Sequence, residues 1–237
     1  MGRARLEWSP VTLIALDLDG TLEDSRQDMV AAARRVREQL ELPPRPDEAL
    51  RPWVNAGMDR LYRACFGDYL ERQPGSEAYA RAQAAYEADY LAHIADTTRL
   101  YPGIANALSE LAMLGKLACV TNKPEAISRR LLQALRVGAH FSAVVGGDTC
   151  EHAKPHPVML ETAAREAGFR RLRPTTCFMI GDTAADLRMG QAYGAFRVWC
   201  SWGYAQALDE MADAVAREPA ELVQIVRSVL GSDGRRE

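Results

Sequence analysis

The stretch that decides the fold is Val11-Thr12-Leu13-Ile14-Ala15-Leu16-Asp17-Leu18-Asp19-Gly20-Thr21-Leu22-Glu23-Asp24-Ser25. Val11–Leu16 is a short apolar, β-rich run, bounded at once by acidic residues and a glycine, and it reads as a buried strand. It is too short for a secretory apolar core, and Asp17 and Asp19 interrupt it. Alternation along a strand puts the Asp17 and Asp19 side chains on one side and Leu18 on the other. Two carboxylates that close need a cation beside them or a proton on one of them. Gly20 allows a sharp turn that brings backbone amides near an anion. An ordinary Asx turn after a strand is the plainer reading of the same residues.

Working outward, strands and helices alternate. Asp28–Leu40 has helical spacing through Met29, Val30, Ala33, Val36 and Leu40, and Ile104–Leu114 is a helix closed by Gly115. Beyond these, Leu117–Thr121, Ala143–Gly146, Thr176–Ile180 and Phe196–Cys200 read as strands, with a short one centred on Val215. The helices Glu125–Leu135, Pro157–Ala167, Ala184–Tyr193 and Ala220–Leu230 lie between or after them. Repeated β-α units predict a Rossmann-like α/β core, a parallel sheet with helices on both faces. Residues 24–98 are alanine-, arginine- and tyrosine-rich, with helical periodicity and no convincing strand, so they read as an inserted α-helical domain. The expected organisation is a core of 1–23 and 99–237 with a helical insertion of 24–98.

Composition sets limits. The chain has 237 residues, 48% hydrophobic and 26% charged, the balance of a globular protein with a real core. A net charge of −3 gives no footprint for nucleic acid, and no apolar run is long enough to span a bilayer. Five scattered cysteines without a C-x-x-C pair argue against a disulfide framework and for a reducing, cytoplasmic setting. Lysine is scarce: Lys116, Lys123 and Lys154 are the only three.

Ligands of parallel sheets bind at the carboxyl ends of the strands, and three more clusters fall there. Thr121-Asn122 offers a hydroxyl and amides to a phosphate oxygen, although Thr-Asn is also a common way to leave a strand. Lys154-Pro155-His156-Pro157 puts a scarce lysine beside a helix start, where proline is routine. Gly181-Asp182-Thr183-Ala184-Ala185-Asp186 sets two carboxylates about one turn apart, although Asp and Thr also cap helices there. Taken together, Asp17, Asp182 and Asp186 make a hard oxygen site that suits Mg²⁺. A lysine and a hydroxyl complete a cradle for a phosphoryl dianion.

D-L-D-G-T-L-x-D-S at 17–25, T-N-K-P at 121–124, K-P-x-P at 154–157 and G-D-T-x-x-D at 181–186 resemble the four motifs of the haloacid dehalogenase superfamily. More narrowly, the chain resembles the phosphoglycolate phosphatase-like branch, and Tyr101-Pro102-Gly103 and Gly203-Tyr204 are similar to flanking features of it. The resemblance implies a helical cap at 24–98 and a Mg²⁺-dependent phosphatase acting on a small phosphorylated metabolite. It implies Asp17 as nucleophile and Asp19 as general acid and base. Mg²⁺ would be held by Asp17, the Asp19 carbonyl and Asp182, with Asp186 in or just behind that set. Gly20, Thr121, Asn122 and Lys154 would surround the phosphoryl group. One departure is Glu23, where the family usually has an apolar residue.

Among rival activities, dehalogenation has no leaving alkoxide to protonate, which disfavours it given Asp19. A Schiff-base phosphonoacetaldehyde hydrolase needs a cap lysine, and residues 24–98 contain none. A sugar-phosphate mutase shares every catalytic residue and stays open, as does a silent binding module, although no motif is eroded. For a substrate carboxylate, Arg51, Arg60 and Arg63 are the cap cations, and Asn55-Ala56-Gly57 reads as a substrate-facing loop. No partner protein is implied beyond a monomer or small homo-oligomer.

Overall fold

The computed structural model describes residues 12–54, 57–170, 176–205 and 212–233. Its central element is β1 (Leu13–Leu16), whose four side chains are all buried. Around it run β4 (Lys116–Val120), β5 (Phe141–Val145), β6 (Cys177–Gly181), β7 (Phe196–Cys200) and β8 (Ala214–Ala216). The sheet order is β5-β4-β1-β6-β7-β8, and every pairing is parallel. A strand buried on both faces should be continuously apolar, and β1 is. Ile14 and Leu16 belong to one hydrophobic cluster, and Leu13 and Ala15 to another on the opposite face.

The first cluster takes in α5 (Ile104–Leu111), α6 (Glu125–Ala134) and α9 (Pro219–Asp233); the second takes in α7 (Val158–Glu166) and α8 (Ala184–Tyr193). Each fully buried Leu or Ile stabilises the fold by about 1.5–3 kcal/mol. The result is the α/β, Rossmann-like architecture with helices on both faces that the alternation predicts.

Among the described residues, four helices lie between β1 and α5: α1 (Arg26–Gln39), α2 (Asp47–Val54), α3 (Met58–Arg72) and α4 (Ser76–Ala92). On α1, Met29, Val30, Ala33 and Val36 face inward at helical spacing. Tyr62, Phe66, Tyr86 and Tyr90 fill the space between α3 and α4 with edge and stacked ring pairs. Buried Arg37 pairs with Asp68 across the bundle at 2.7 Å.

Entry to and exit from this bundle are tied together. β2 (Glu23–Asp24) pairs antiparallel with β3 (Arg99–Leu100), a ribbon that periodicity did not signal because two residues carry no period. Asp28, in the first turn of α1, accepts hydrogen bonds from the backbone N–H groups of Thr97 and Thr98 and from both hydroxyls. An acidic side chain also suits that end of the helix dipole. None of the described helices is long and apolar enough to cross a membrane.

Candidate active site

The three central strands β4, β1 and β6 deliver Thr121, Asp17 and Asp182 side by side at their carboxyl ends. The Asp17 N–H is still bonded to Ile180 O at 2.9 Å, and Thr121 N–H to Val145 O at 3.0 Å. Both side chains are therefore anchored to the sheet. One turn beyond Asp182, Asp186 closes a capping box with Thr183: its Oδ2 accepts the Thr183 N–H at 3.0 Å and hydroxyl at 2.6 Å. Helix capping and site assembly are thus the same contact.

Asp17, Asp182 and Asp186 can each offer one carboxylate oxygen, all within 4.8 Å of one another, and all three residues are buried. Against them stands Lys154, with Nζ 2.8 Å from Asp186 Oδ1 and 2.6 Å from Asp17 Oδ1. One ammonium thus serves two buried carboxylates at once. The Asn122 Oδ1 accepts the backbone N–H of Lys154 at 2.9 Å, which fixes that loop against β4.

Gly20 has φ +83, and a Cβ there would lie 2.4 Å from Asp182 Oδ2. Only glycine permits this approach. Its own N–H is donated to Glu23 O at 2.9 Å, so the structure turns it away from the anion-binding use its sequence suggests. Asp182 is further held by the Thr21 hydroxyl at 3.0 Å and the Tyr204 N–H at 2.7 Å.

Electrostatics follow from burial. Burial lifts the Asp17 carboxyl well above its ordinary range; Lys154 opposes this, while Asp186 and Asp182 add to it. Burial and then Asp186 push Asp182 up to about 6, against the Tyr204 amide and Thr21 hydroxyl. Burial depresses Lys154, but the charges of Asp17 and Asp186 outweigh it and hold the ammonium protonated. An additional positive charge among these oxygens would reverse the carboxylate shifts. Three converging carboxylates that share one ammonium form an all-oxygen set with excess negative charge, which fits a hard divalent cation.

Asp19 behaves differently. Burial would raise it, but Lys123 and donors from Glu23, Lys123 and Ser25 bring its pKa below the usual carboxylate value. The Ser25 hydroxyl lies 2.5 Å and Lys123 Nζ 2.6 Å from the same Asp19 Oδ1. Glu23 is fully buried, and its oxygens accept no hydrogen bond. Burial, then the Asp19 charge, raise its carboxyl well above the ordinary value. Both causes favour its protonated form, which can donate to Asp19.

These groups open on a cavity of about 370 Å³. Its lining includes Asp17, Asp19, Thr121, Asn122, Lys123 and Lys154 from the core, and Met29, Val54 and Met58 from the helical segment. Of the cap arginines, Arg51 is exposed and is absent from this lining, and Arg60 and Arg63 border a separate groove with Trp53. Arg63 is paired with Asp59 and lies over the Tyr79 ring, whereas Arg60 also borders a neighbouring cavity with Gly57, Met58, Asn122 and Gly147, where the bundle meets the core. Asn55 lies outside the described residues. Sequence reasoning assigned no role to Lys123; its rarity, within T-N-K-P, was the available signal.

A family profile for haloacid dehalogenase-like hydrolases matches residues 11–194. The chain belongs to this family. The hydrolase is 34% identical to a phosphoglycolate phosphatase of Nitrosococcus oceani over 198 residues, covering 83% of this chain and 87% of that one. It is 32% identical to a phosphoglycolate phosphatase of Chromobacterium violaceum, over 92% of this chain and 97% of the relative. Its fold is similar to the crystal structure of a predicted phosphoglycolate phosphatase from Haemophilus somnus, with a TM-score of 0.79 at 24% identity, over 92% of this chain and 99% of that one.

Proposed function

We propose that this hydrolase is a Mg²⁺-dependent phosphatase that cleaves a small phosphomonoester through an aspartyl phosphate on Asp17. The observation that carries the reading is the buried trio Asp17, Asp182 and Asp186, whose carboxylates converge beside Lys154, with Asp17 and Lys154 lining the cavity. The relatives' names make phosphoglycolate the first substrate to test. In this reading, residues 24–98 are a cap whose Met29, Val54 and Met58 meet the leaving group, over a core of 1–23 and 99–237.

Asp17, Asp182 and Asp186 would hold Mg²⁺, with the Asp19 backbone carbonyl. When bound, the ion supplies the charge that lowers repulsion between a carboxylate nucleophile and a phosphate dianion. The Asp17 carboxylate attacks phosphorus, and the bond to the leaving oxygen breaks. Lys154, Thr121 and the Asn122 amide hold phosphoryl oxygens as equatorial charge develops. Asp19 gives the leaving oxygen its proton, then takes one from the water that opens the acyl phosphate, releasing inorganic phosphate and restoring Asp17. Held below its ordinary pKa in the free protein, Asp19 is already the base that the second half needs. An anionic phosphoryl group arriving beside it raises its pKa and lets it carry the proton for the first half.

The test is turnover of a panel (phosphoglycolate, sugar phosphates, nucleoside monophosphates) in Mg²⁺, reading free phosphate and sugar-phosphate isomer separately. Free phosphate is expected. Asp17→Asn should lower phosphate release by at least about 10⁴-fold, as loss of a nucleophile does elsewhere, with a circular-dichroism melt of the metal-free protein no lower than that of the wild type. Turnover retained by that variant removes Asp17 as nucleophile.

A further inference from the structure

Lys123 is one of the most enclosed cations in the molecule, and its three ammonium hydrogens have three partners. Nζ lies 2.6 Å from Asp19 Oδ1, 2.9 Å from the Tyr90 hydroxyl and 3.4 Å from Ser25 Oγ. It also stands 4.8 Å from the centroid of the Tyr90 ring. Asp19 and Ser25 belong to the loop after β1 and the linker into the bundle. Tyr90 belongs to α4, the last helix of that bundle. The contact therefore spans the core and the helical segment.

Tyr90 is itself rigidly placed. It is almost fully buried, and its ring stacks on Tyr86 at 6.0 Å with 19° between planes. It does not line the cavity, whereas Lys123 and Asp19 do. A lysine ammonium is a point charge on a flexible four-carbon stem, and a single carboxylate partner fixes it poorly. A second partner on a packed helix removes that freedom. Because Lys123 and Ser25 both engage Oδ1 of Asp19, the position of the ammonium sets the rotation of the carboxylate.

We propose that Tyr90 is a positioning residue for the proton-transfer carboxylate: its hydroxyl holds Lys123 against Asp19, so the acid is correctly aimed only when α4 is seated on the core. The proposal rests on the phosphatase reading, since it takes Asp19 as the donor to the leaving oxygen. It goes beyond that reading by giving the helical segment a part in proton transfer through a residue that touches no substrate.

The experiment is Tyr90→Phe, which keeps the ring, its stacking and its packing against the ammonium and removes one oxygen. Two substrates separate the roles. An alkyl phosphate needs its leaving oxygen protonated, whereas p-nitrophenyl phosphate expels an anion that is stable without a proton. Because kcat/KM reports steps up to formation of the aspartyl phosphate, it should fall about tenfold on the alkyl ester and less than about twofold on the aryl ester. Tyr86→Phe, which alters the stacked neighbour without touching Lys123, should leave the ratio of the two esters unchanged.

Equal losses on both esters, or no loss on either, would overturn the proposal while the phosphatase reading stood. Failure of the wild type to hydrolyse either ester would remove both. Should Tyr90→Phe not fold, Lys123→Arg carries the same comparison, because a planar guanidinium cannot reproduce the point contact to Asp19. An unchanged ester ratio there would equally overturn it.

Discussion

Adding Mg²⁺ to the metal-free protein should stabilise it, and by an amount that depends on pH in a stated direction. Asp17, Asp182 and Asp186 face one buried cation, Lys154. With all three ionised, the formal balance is −3 + 1 = −2 in a site shielded from water. Asp182 is pushed up to about 6 from 3.8, and Asp17 is raised too. A carboxyl whose folded pKa is raised binds protons more tightly in the folded state, so these groups make the metal-free protein less stable as pH rises from about 4 through about 6. A divalent ion removes that penalty, most fully above pH 6.

At a hundredfold excess over Kd, binding contributes about 2.7 kcal/mol. For a chain of this size each kcal/mol moves Tm by about 2–4 °C, so Mg²⁺ at pH 7.5 should raise Tm by about 5–11 °C. At pH 5 the ion must first displace the Asp182 proton, which costs about 1.4 kcal/mol per unit below its pKa. With Asp17 raised as well, the affinity falls by at least about tenfold, and the same Mg²⁺ concentration should give about half the shift or less. Differential scanning fluorimetry with NaCl at matched ionic strength measures both arms. A shift that is absent at pH 7.5, or equal at the two pH values, would refute the assignment of the acidic trio to a cation.

Two further outcomes follow from other contacts. Glu23→Leu removes the buried carboxyl that acts as a donor to Asp19, so the Asp19 pKa should rise and the limb of the pH–kcat profile that reports it should move to higher pH; an unmoved limb would contradict the reading of Glu23 as a donor to Asp19. Gly203→Ala places a Cβ 2.2 Å from Asp182 Cβ and 2.5 Å from its Oδ2. The aspartate must shift, and the Mg²⁺ concentration for half-maximal activity should rise about 10- to 100-fold, as for other disturbed ligand supports. An unchanged Mg²⁺ titration would show that Asp182 tolerates displacement.

Much of the core was legible because its signals are local. The apolar run ending at Leu16, the alternation of β and α segments, and acidic residues at strand ends each lie within a few consecutive residues. The strand-end rule then needs only that order to bring Asp17, Thr121 and Asp182 to one edge of the sheet. The helical segment was legible as helices for the same reason, but its arginines were not. Arg51, Arg60 and Arg63 look alike in sequence, and only the packed bundle leaves Arg51 exposed, pairs Arg63 with Asp59 and brings Arg60 to a cavity shared with Asn122 and Gly147 of the core.

The sequence by itself determined a parallel α/β sheet with a helical insertion and an oxygen-rich site at the strand ends, since apolar period and motif order encode those directly. Tertiary structure alone decided that Lys123 meets Asp19 across 104 positions and Tyr90 across 33, and that Glu23 is buried beside Asp19, which lifts its carboxyl above the ordinary value. Hydrogen bonds and desolvation act over a few ångströms in space, and separation along the chain carries no trace of them until it folds.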